Sequence, residues 1–462
     1  MSNTATSLVG KYLDDARFGK EHYKLLSLVG AGGFFDSFDI YLAGSVLGTM
    51  VVTKFSTVAL NASFISSTFA GLLIGTLVAG RVGDRYGRRT SYLYALLLYG
   101  IATIITAAAA TPYQVIALRG IAGLGLGAVI ITSYGMWNEF LPREQRGWWS
   151  SVLSLIINLA QPVSALAALL AIPYFGWRSM FIIAGIPAVI TWAFQIRYLR
   201  ESPRWLEANG RLREALETVR HFNPEAPEYP AVAAQAASVA ATARSARVDL
   251  RDLFHGPMLR ITILGILVSI CFQVPYYSFQ AWVPTYLVKA GFPIVGTLAF
   301  AFVMQLGAIP GNLLAGYLGD HFGRKWTNVF LYVSLGLIGI VYAYSVDVIE
   351  LMIVGFLFVM TANIAIAMTI ASYIPEMFPT SVRLQGSALA NAFGRAGTIL
   401  SPFMVASLFQ RFGIAGVFYS SLVIFLLGAL AIAIMGPETR KKSLEQIAAE
   451  SMGAAAPPRV GP

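Results

Sequence analysis

The feature that most constrains this chain is a succession of long apolar stretches, joined mostly by short polar connections, from about residue 25 to residue 436. Crossing about 30 Å of hydrocarbon takes roughly 20 residues of helix, and a helix closes its own backbone hydrogen bonds where no water is present. Twelve spans are predicted, at about 25–50, 62–81, 91–110, 113–138, 149–173, 179–199, 259–285, 297–318, 327–345, 348–372, 385–409 and 415–436. Composition agrees: 56% of the 462 residues are hydrophobic, 12% are charged, and the mean hydropathy is +0.66. No water-facing surface of this size tolerates that balance. The short alternating segments of an outer-membrane barrel do not occur.

The net charge of +10 raises nucleic acid as a partner, so the placement of the charges decides. Leaving aside the long central loop, seventeen Lys and Arg fall in segments on the side of the two termini. Four fall on the other side: Lys54, Arg178, Lys289 and Arg411. The excess marks the cytoplasmic face. The expectation is therefore a multi-pass protein of the cell inner (plasma) membrane with both termini cytoplasmic, the bilayer as its surroundings and no nucleic-acid partner. The polar stretch Met1–Lys24 carries both signs of charge and lacks the basic head and short apolar core of a cleavable signal. Cys271 stands alone inside the seventh span, so no intramolecular disulfide is possible. His22, His221, His255 and His321 are scattered and there is no G-x-x-x-x-G-K-[ST] loop, so neither a metal, a cofactor nor an enzyme activity is expected.

The organisation reads as a cytoplasmic start (1–24), a six-helix bundle (25–200), a cytoplasmic loop (201–258), a second six-helix bundle (259–436) and a tail (437–462). In the loop, Leu206–Phe222 is amphipathic and predicts one short surface helix, and the Ala-rich run Ala231–Ala246 predicts a linker. The two bundles repeat residue by residue. Gly80-x-x-Gly83-Asp84-Arg85-x-Gly87-Arg88-Arg89 returns as Gly316-x-x-Gly319-Asp320-x-x-Gly323-Arg324-Lys325, an offset of 236. Glu139-x-x-Pro142 with Arg146 returns as Glu376-x-x-Pro379 with Arg383, an offset of 237. Two independent matches at nearly one offset point to an internal duplication.

The doubled G-x-x-x-D-x-x-G-R-[RK] pattern resembles the cytoplasmic loop signature of the major facilitator superfamily. Arg119-Gly120-x-x-Gly123-x-Gly125-x-Gly127 is similar to its fourth-helix motif. Arg200-Glu201-Ser202-Pro203-Arg204 and Pro437-Glu438-Thr439 look like the patterns shared by sugar porters and their organic-ion relatives. The resemblance implies an all-α integral membrane protein with twelve transmembrane helices in two six-helix bundles, working as a monomer. It also implies a cytoplasmic gate made of Gly83, Asp84, Arg85, Gly87, Arg88, Glu139, Arg146, Glu201, Asp320, Arg324, Glu376, Arg383 and Glu438. Such charges either latch one conformation or simply fix topology.

Each ionisable group at membrane depth costs at least about 2.5–3.5 kcal/mol, so Asp36, Asp39, Arg119 and Arg395 are functional candidates. At 1.5 Å per residue all four fall within roughly 16–21 Å of the cytoplasmic face, near the midplane. The run Phe35-Asp36-Ser37-Phe38-Asp39 resembles the D-G-[FY]-D element of aromatic acid:proton symporters, with Ser37 in place of glycine. That resemblance implies Asp39 as proton acceptor, Asp36 as auxiliary and Arg119 as the partner that reads their charge. The competing reading is a permanent structural ion pair in a uniporter. Arg395 has no counterpart in the first half, where Asn158 stands, and is a candidate receptor for a carboxylate or a bond donor to loosened backbone. Polar and aromatic groups that could line a cavity are Asn158, Gln161, Gln273, Tyr276, Tyr277, Gln280, Gln305, Asn363 and Asn391. The stretch Pro275-Tyr276-Tyr277 with Trp282-Val283-Pro284-Thr285-Tyr286 resembles that of niacin and aromatic acid carriers and lacks the Q-Q-x-x-G-x-N of sugar porters. The expected substrates are a small organic anion and protons. The alternatives are a sugar or polyol:proton symporter and a sensor that binds without transporting.

Overall fold

Long runs of Leu, Ile, Val, Phe and Ala with no polar interruption leave a chain in lipid one economical solution, the helix, and the computed structural model adopts it throughout. It describes residues 8–142, 145–227, 229, 253–378 and 382–438. Among these, every regular element is helical. Eleven helices are long and apolar enough to cross a membrane: Lys20–Val52, Val58–Tyr86, Arg88–Ala107, Pro112–Phe140, Arg146–Phe175, Arg178–Tyr198, Met258–Lys289, Ile294–Ala315, Lys325–Tyr344, Val348–Met377 and Gln385–Met435. The last, at 51 residues, is more than twice the required length and is broken at Gly413, whose φ of 66° only glycine adopts freely. It supplies the eleventh and twelfth spans.

The helices run past the apolar stretches that predicted them, as the second span shows by reaching Tyr86 rather than residue 81. Hydropathy marks the hydrocarbon, whereas helical hydrogen bonding continues into the polar face. Three spans are not uniform. The fifth is interrupted at Leu159 and the eighth at Leu306 and Gly307, while the tenth carries a seven-residue π-helical stretch, Ala367–Tyr373. The amphipathic stretch after the sixth span is two helices, Pro203–Ala208 and Leu212–Phe222, rather than the one expected. Gly210, at φ 75°, turns the chain between them. The linker Ala231–Ala246 lies outside the described residues.

The described helices pack as two compact units. The first draws on 1–40, 70–160 and 178–247, and the second on 41–69, 161–177 and 248–462. The first unit thus holds the third, fourth and sixth spans with the terminus-side parts of the first, second and fifth. Its second and fourth spans touch backbone to backbone, because a Cβ on Gly71 or Gly75 would collide with main-chain atoms of Gly120 or Leu124. The second unit combines the far-end parts of the first, second and fifth spans with the later spans. There a Cβ on Gly44 would come within 2.6 Å of the Gln280 carbonyl oxygen, and one on Gly48 within 3.4 Å of Pro284. Ser66 Oγ donates to the Ile399 carbonyl, and the rings of Phe69 and Tyr277 meet at 4.9 Å.

Candidate functional site

Within the first unit, the first span carries Asp39 and the fourth carries Arg119, and the structure brings the two together with neither exposed. Arg119 Nη1 donates to Asp39 Oδ1 at 3.1 Å and Nη2 lies 2.7 Å from Oδ2, a close buried ion pair. Thr103 of the third span donates its hydroxyl to Asp39 Oδ1 at 3.2 Å. The Phe181 ring sits 5.9 Å from the guanidinium. Further along the fourth span, Gly125 packs on Ala95 and Tyr99 of the third and Gly127 on Leu72 of the second, so the helices close in.

Asp36, one turn earlier, is equally buried. The Tyr99 hydroxyl is buried without a hydrogen-bond partner among the described residues. Two buried carboxylates one turn apart, set against one paired guanidinium, leave a net single negative charge when both are ionised, so one added proton neutralises the site. Protonating one carboxylate changes the local charge by one unit in a site no water screens. Asn158, also in the first unit, donates from Nδ2 to Ser154 Oγ at 3.3 Å.

Within the second unit, the polar groups of five spans form one chain of hydrogen bonds. Gln161 Nε2 donates to Tyr41 Oη at 2.7 Å and to Tyr276 Oη at 3.1 Å, and the two phenol oxygens are 3.4 Å apart. Gln280 Nε2 donates to Tyr276 Oη at 3.2 Å, and Gln305 Nε2 donates to Gln280 Oε1 at 2.6 Å. Asn363 Nδ2 reaches Gln161 Oε1 at 3.4 Å and Asn312 Nδ2 reaches Asn363 Oδ1 at 3.2 Å. The breaks in the fifth and eighth spans fall beside Gln161 and Gln305, so the helices loosen where these amides project. The Tyr277 ring meets that of Tyr276 edge to face, with centroids 5.0 Å apart.

Arg395 lies half-buried on the eleventh span, and its guanidinium has no ion pair or hydrogen bond among the described residues. Its neighbour Gly394 packs against Gln273, which bonds to Ser269 at 2.8 Å, and Asn391 bonds to its own helix at Ser387. Sequence reasoning missed Tyr41, Thr103, Tyr99 and Asn312. Tyr41 had one available signal, a polar-tipped ring two positions after Asp39.

The charges of the doubled loop motifs show the duplication as geometry. In the first unit Arg88 bridges Asp84 at 2.8 Å and Glu139 at 3.5 Å, and Glu201 accepts from the Arg89 backbone at 3.0 Å. In the second, Arg324 bridges Glu376 at 3.1 Å, and Glu438 accepts from the Arg324 backbone at 3.0 Å and the Lys325 backbone at 3.3 Å. Glu201 and Glu438, 237 positions apart, thus each hold the start of a span whose N–H groups have no helical acceptor. Gly87, at φ 104°, passes against the Glu201 carboxylate, and Gly83 lies against the Arg88 guanidinium. Arg146 pairs with Asp14 of the short helix Leu8–Asp14 at 3.0 Å. Arg85 covers the ring of Tyr86, and Arg383 is half-buried on its helix. The side chain of Asp320 lies outside the described residues.

Comparison with known proteins places this geometry. The profile of the family described as "Sugar (and other) transporter" matches residues 27–450. The inner membrane metabolite transport protein YdjE of Escherichia coli is 32% identical over 442 residues, covering 95% of this chain and 98% of that protein. The niacin transporter NiaP of Acinetobacter baylyi is 30% identical over 436 residues, covering 94% and 98%. Among solved structures, the inward-open xylose transporter XylE of E. coli superposes with a TM-score of 0.74 at 18% identity, covering 93% of this chain and 99% of that one.

Proposed function

The chain belongs to the sugar (and other) transporter family, of the major facilitator fold, and on that premise we propose that it is a proton-coupled importer of a small organic anion such as an aromatic or pyridine carboxylate. That it is a multi-pass membrane transporter rather than an enzyme follows from the family. The coupling and the substrate class are the proposal. The observation that carries it is the Asp39–Arg119 pair, sealed from water in the middle of the first unit. A buried ion pair of this kind is an expensive way to gain stability, since well-packed apolar residues of the same volume do as well. It supports a working role, in which Asp39 takes the proton, Asp36 assists, and Arg119 responds to the change in charge.

The anion reading is supported by Arg395, a half-buried guanidinium with no counter-ion among the described residues, and by the niacin transporter among the relatives. Niacin is a pyridine carboxylate, which a planar two-pronged donor fits. The residues expected to meet the substrate are Arg395, Gln161, Gln273, Tyr276, Tyr277, Gln280, Gln305, Asn363 and Asn391. Alternating access would carry the solute across, with Asn158 on its path and the duplicated cytoplasmic ion pairs breaking and re-forming as the spans rock. The protein is expected to sit in the inner membrane as a monomer, with both termini in the cytoplasm.

A polyol reading is favoured by one observation, the run of amides from Gln161 to Asn312, since amides pair well with hydroxyls. Thermal unfolding of the purified protein against carboxylates and sugars separates the two. A ligand at 100 times its dissociation constant adds about 2.7 kcal/mol. Stabilisation by aromatic carboxylates supports the proposal, and stabilisation by neutral sugars alone overturns it.

A further inference from the structure

The hydrogen-bond count at Tyr41 does not close. The amides of Gln161 and Gln280 bring two N–H hydrogens each, and the phenols of Tyr41 and Tyr276 bring one O–H each, six in all. Five bonds use them: Gln161 to Tyr41 and to Tyr276, Gln280 to Tyr276 and to Gln305, and one between the phenols. Tyr276 Oη already receives both amides, so its own hydrogen goes to Tyr41. The hydrogen left over is then the hydroxyl of Tyr41. The carbonyl ends of Gln161, Gln280, Gln305 and Asn363 each accept one bond within the same chain. The cluster therefore has a spare donor, and Arg395 is a second one on the same unit.

We infer that Tyr41 contacts the transported solute, giving its hydroxyl hydrogen to a carboxylate, and that it thereby favours the anion over its neutral analogue. A carboxylate closes the count by accepting that hydrogen. A hydroxyl or a carboxamide accepts the same hydrogen more weakly, because a bond to a charged acceptor is worth roughly twice a neutral one. Selectivity for the anion over its neutral analogue then follows from the strength of that charge-assisted bond. The inference rests on the organic-anion reading and adds to it a residue and a rule of discrimination.

The test is direct binding of nicotinate and of nicotinamide, which share a ring and differ in the acceptor group, to the purified wild-type protein and to Tyr41→Phe. Phenylalanine keeps the ring and removes only the hydroxyl. Losing a hydrogen bond to a charged group weakens binding by about tenfold or more. The expected result is that loss for nicotinate, with nicotinamide changed by less than about threefold on the same scale. Nicotinate affinity unchanged in Tyr41→Phe, or both ligands weakened alike, overturns the role of Tyr41 and leaves the anion reading standing. A wild-type protein that binds no tighter to nicotinate than to nicotinamide overturns the anion reading, and the inference with it.

Discussion

Replacing Asp39 by asparagine keeps the shape of the side chain and the bond from Thr103 but leaves Arg119 buried with no countercharge. At 2.7 Å, with an effective dielectric constant of about 20, the attraction lost is on the order of 6 kcal/mol. The charge already sits out of water in the native state, and removing one partner of such a pair typically costs about 3–5 kcal/mol. Asp39→Asn should therefore lower the thermal unfolding temperature in detergent by many degrees. Adding Arg119→Met should restore most of it, because the double variant has no stranded charge. Transport separates the functional claim from the structural one. A permanently neutral residue mimics the protonated carboxylate, so reconstituted Asp39→Asn should lose uphill accumulation by 100-fold or so while retaining some exchange of labelled for unlabelled substrate. The double variant should recover stability without recovering accumulation. Wild-type stability in Asp39→Asn would refute the energetic argument, and proton-driven accumulation in either variant would refute the coupling role.

Three further outcomes are expected. Arg395→Gln should raise the KM for carboxylate uptake by about 10- to 150-fold, the worth of a hydrogen bond to a charged group, with Arg395→Lys only partly rescuing it; unchanged kinetics in radiolabel uptake would remove Arg395 from the site. Gly44→Leu forces the first and seventh spans apart at the Gln280 carbonyl, at a cost of about 1–3 kcal/mol, and should favour a conformation open at the far end. In a Cys271→Ala background, a cysteine at buried Thr285 should then become reactive to an impermeant maleimide, and no gain in labelling would count against the close packing. Gly87→Ala places a methyl group at φ 104° against the Glu201 carboxylate and should lower stability by roughly 1–3 kcal/mol, read as a fall in unfolding temperature; an unchanged midpoint would refute the capping role of Glu201.

Much of the architecture was legible because lipid is a severe solvent. The twelve apolar spans and the matching loop motifs carry the fold, and charges as costly as Asp39 and Arg119 announce themselves wherever they fall in a span. Helix ends and helix irregularities were not legible. Nothing in Ala367–Tyr373 distinguishes a π-helical stretch from a regular one; the exception is the break at Leu306 and Gly307, where Pro310 cannot bond the carbonyl four residues back and its ring crowds it. Partners distant in sequence were equally hidden. That Glu201 reaches the start of the third span and Glu438 the start of the ninth depends on how three segments converge, although their shared spacing of 237 residues could have flagged them as equivalent. Tyr41 was passed over because a tyrosine in an apolar helix reads as packing, and only its hydrogen-bond partners on the fifth and seventh spans set it apart.

Proton movement on substrate addition tests the central claim most directly. Proteoliposomes of the purified protein, weakly buffered and without an imposed gradient, are given an aromatic carboxylate while external pH is recorded. Coupled entry of anion and proton predicts alkalinisation of the medium that saturates with substrate, vanishes with a protonophore as a sustained gradient, and is absent in Asp39→Asn. Carboxylate uptake with no accompanying pH change, or the same alkalinisation in Asp39→Asn, would contradict the account.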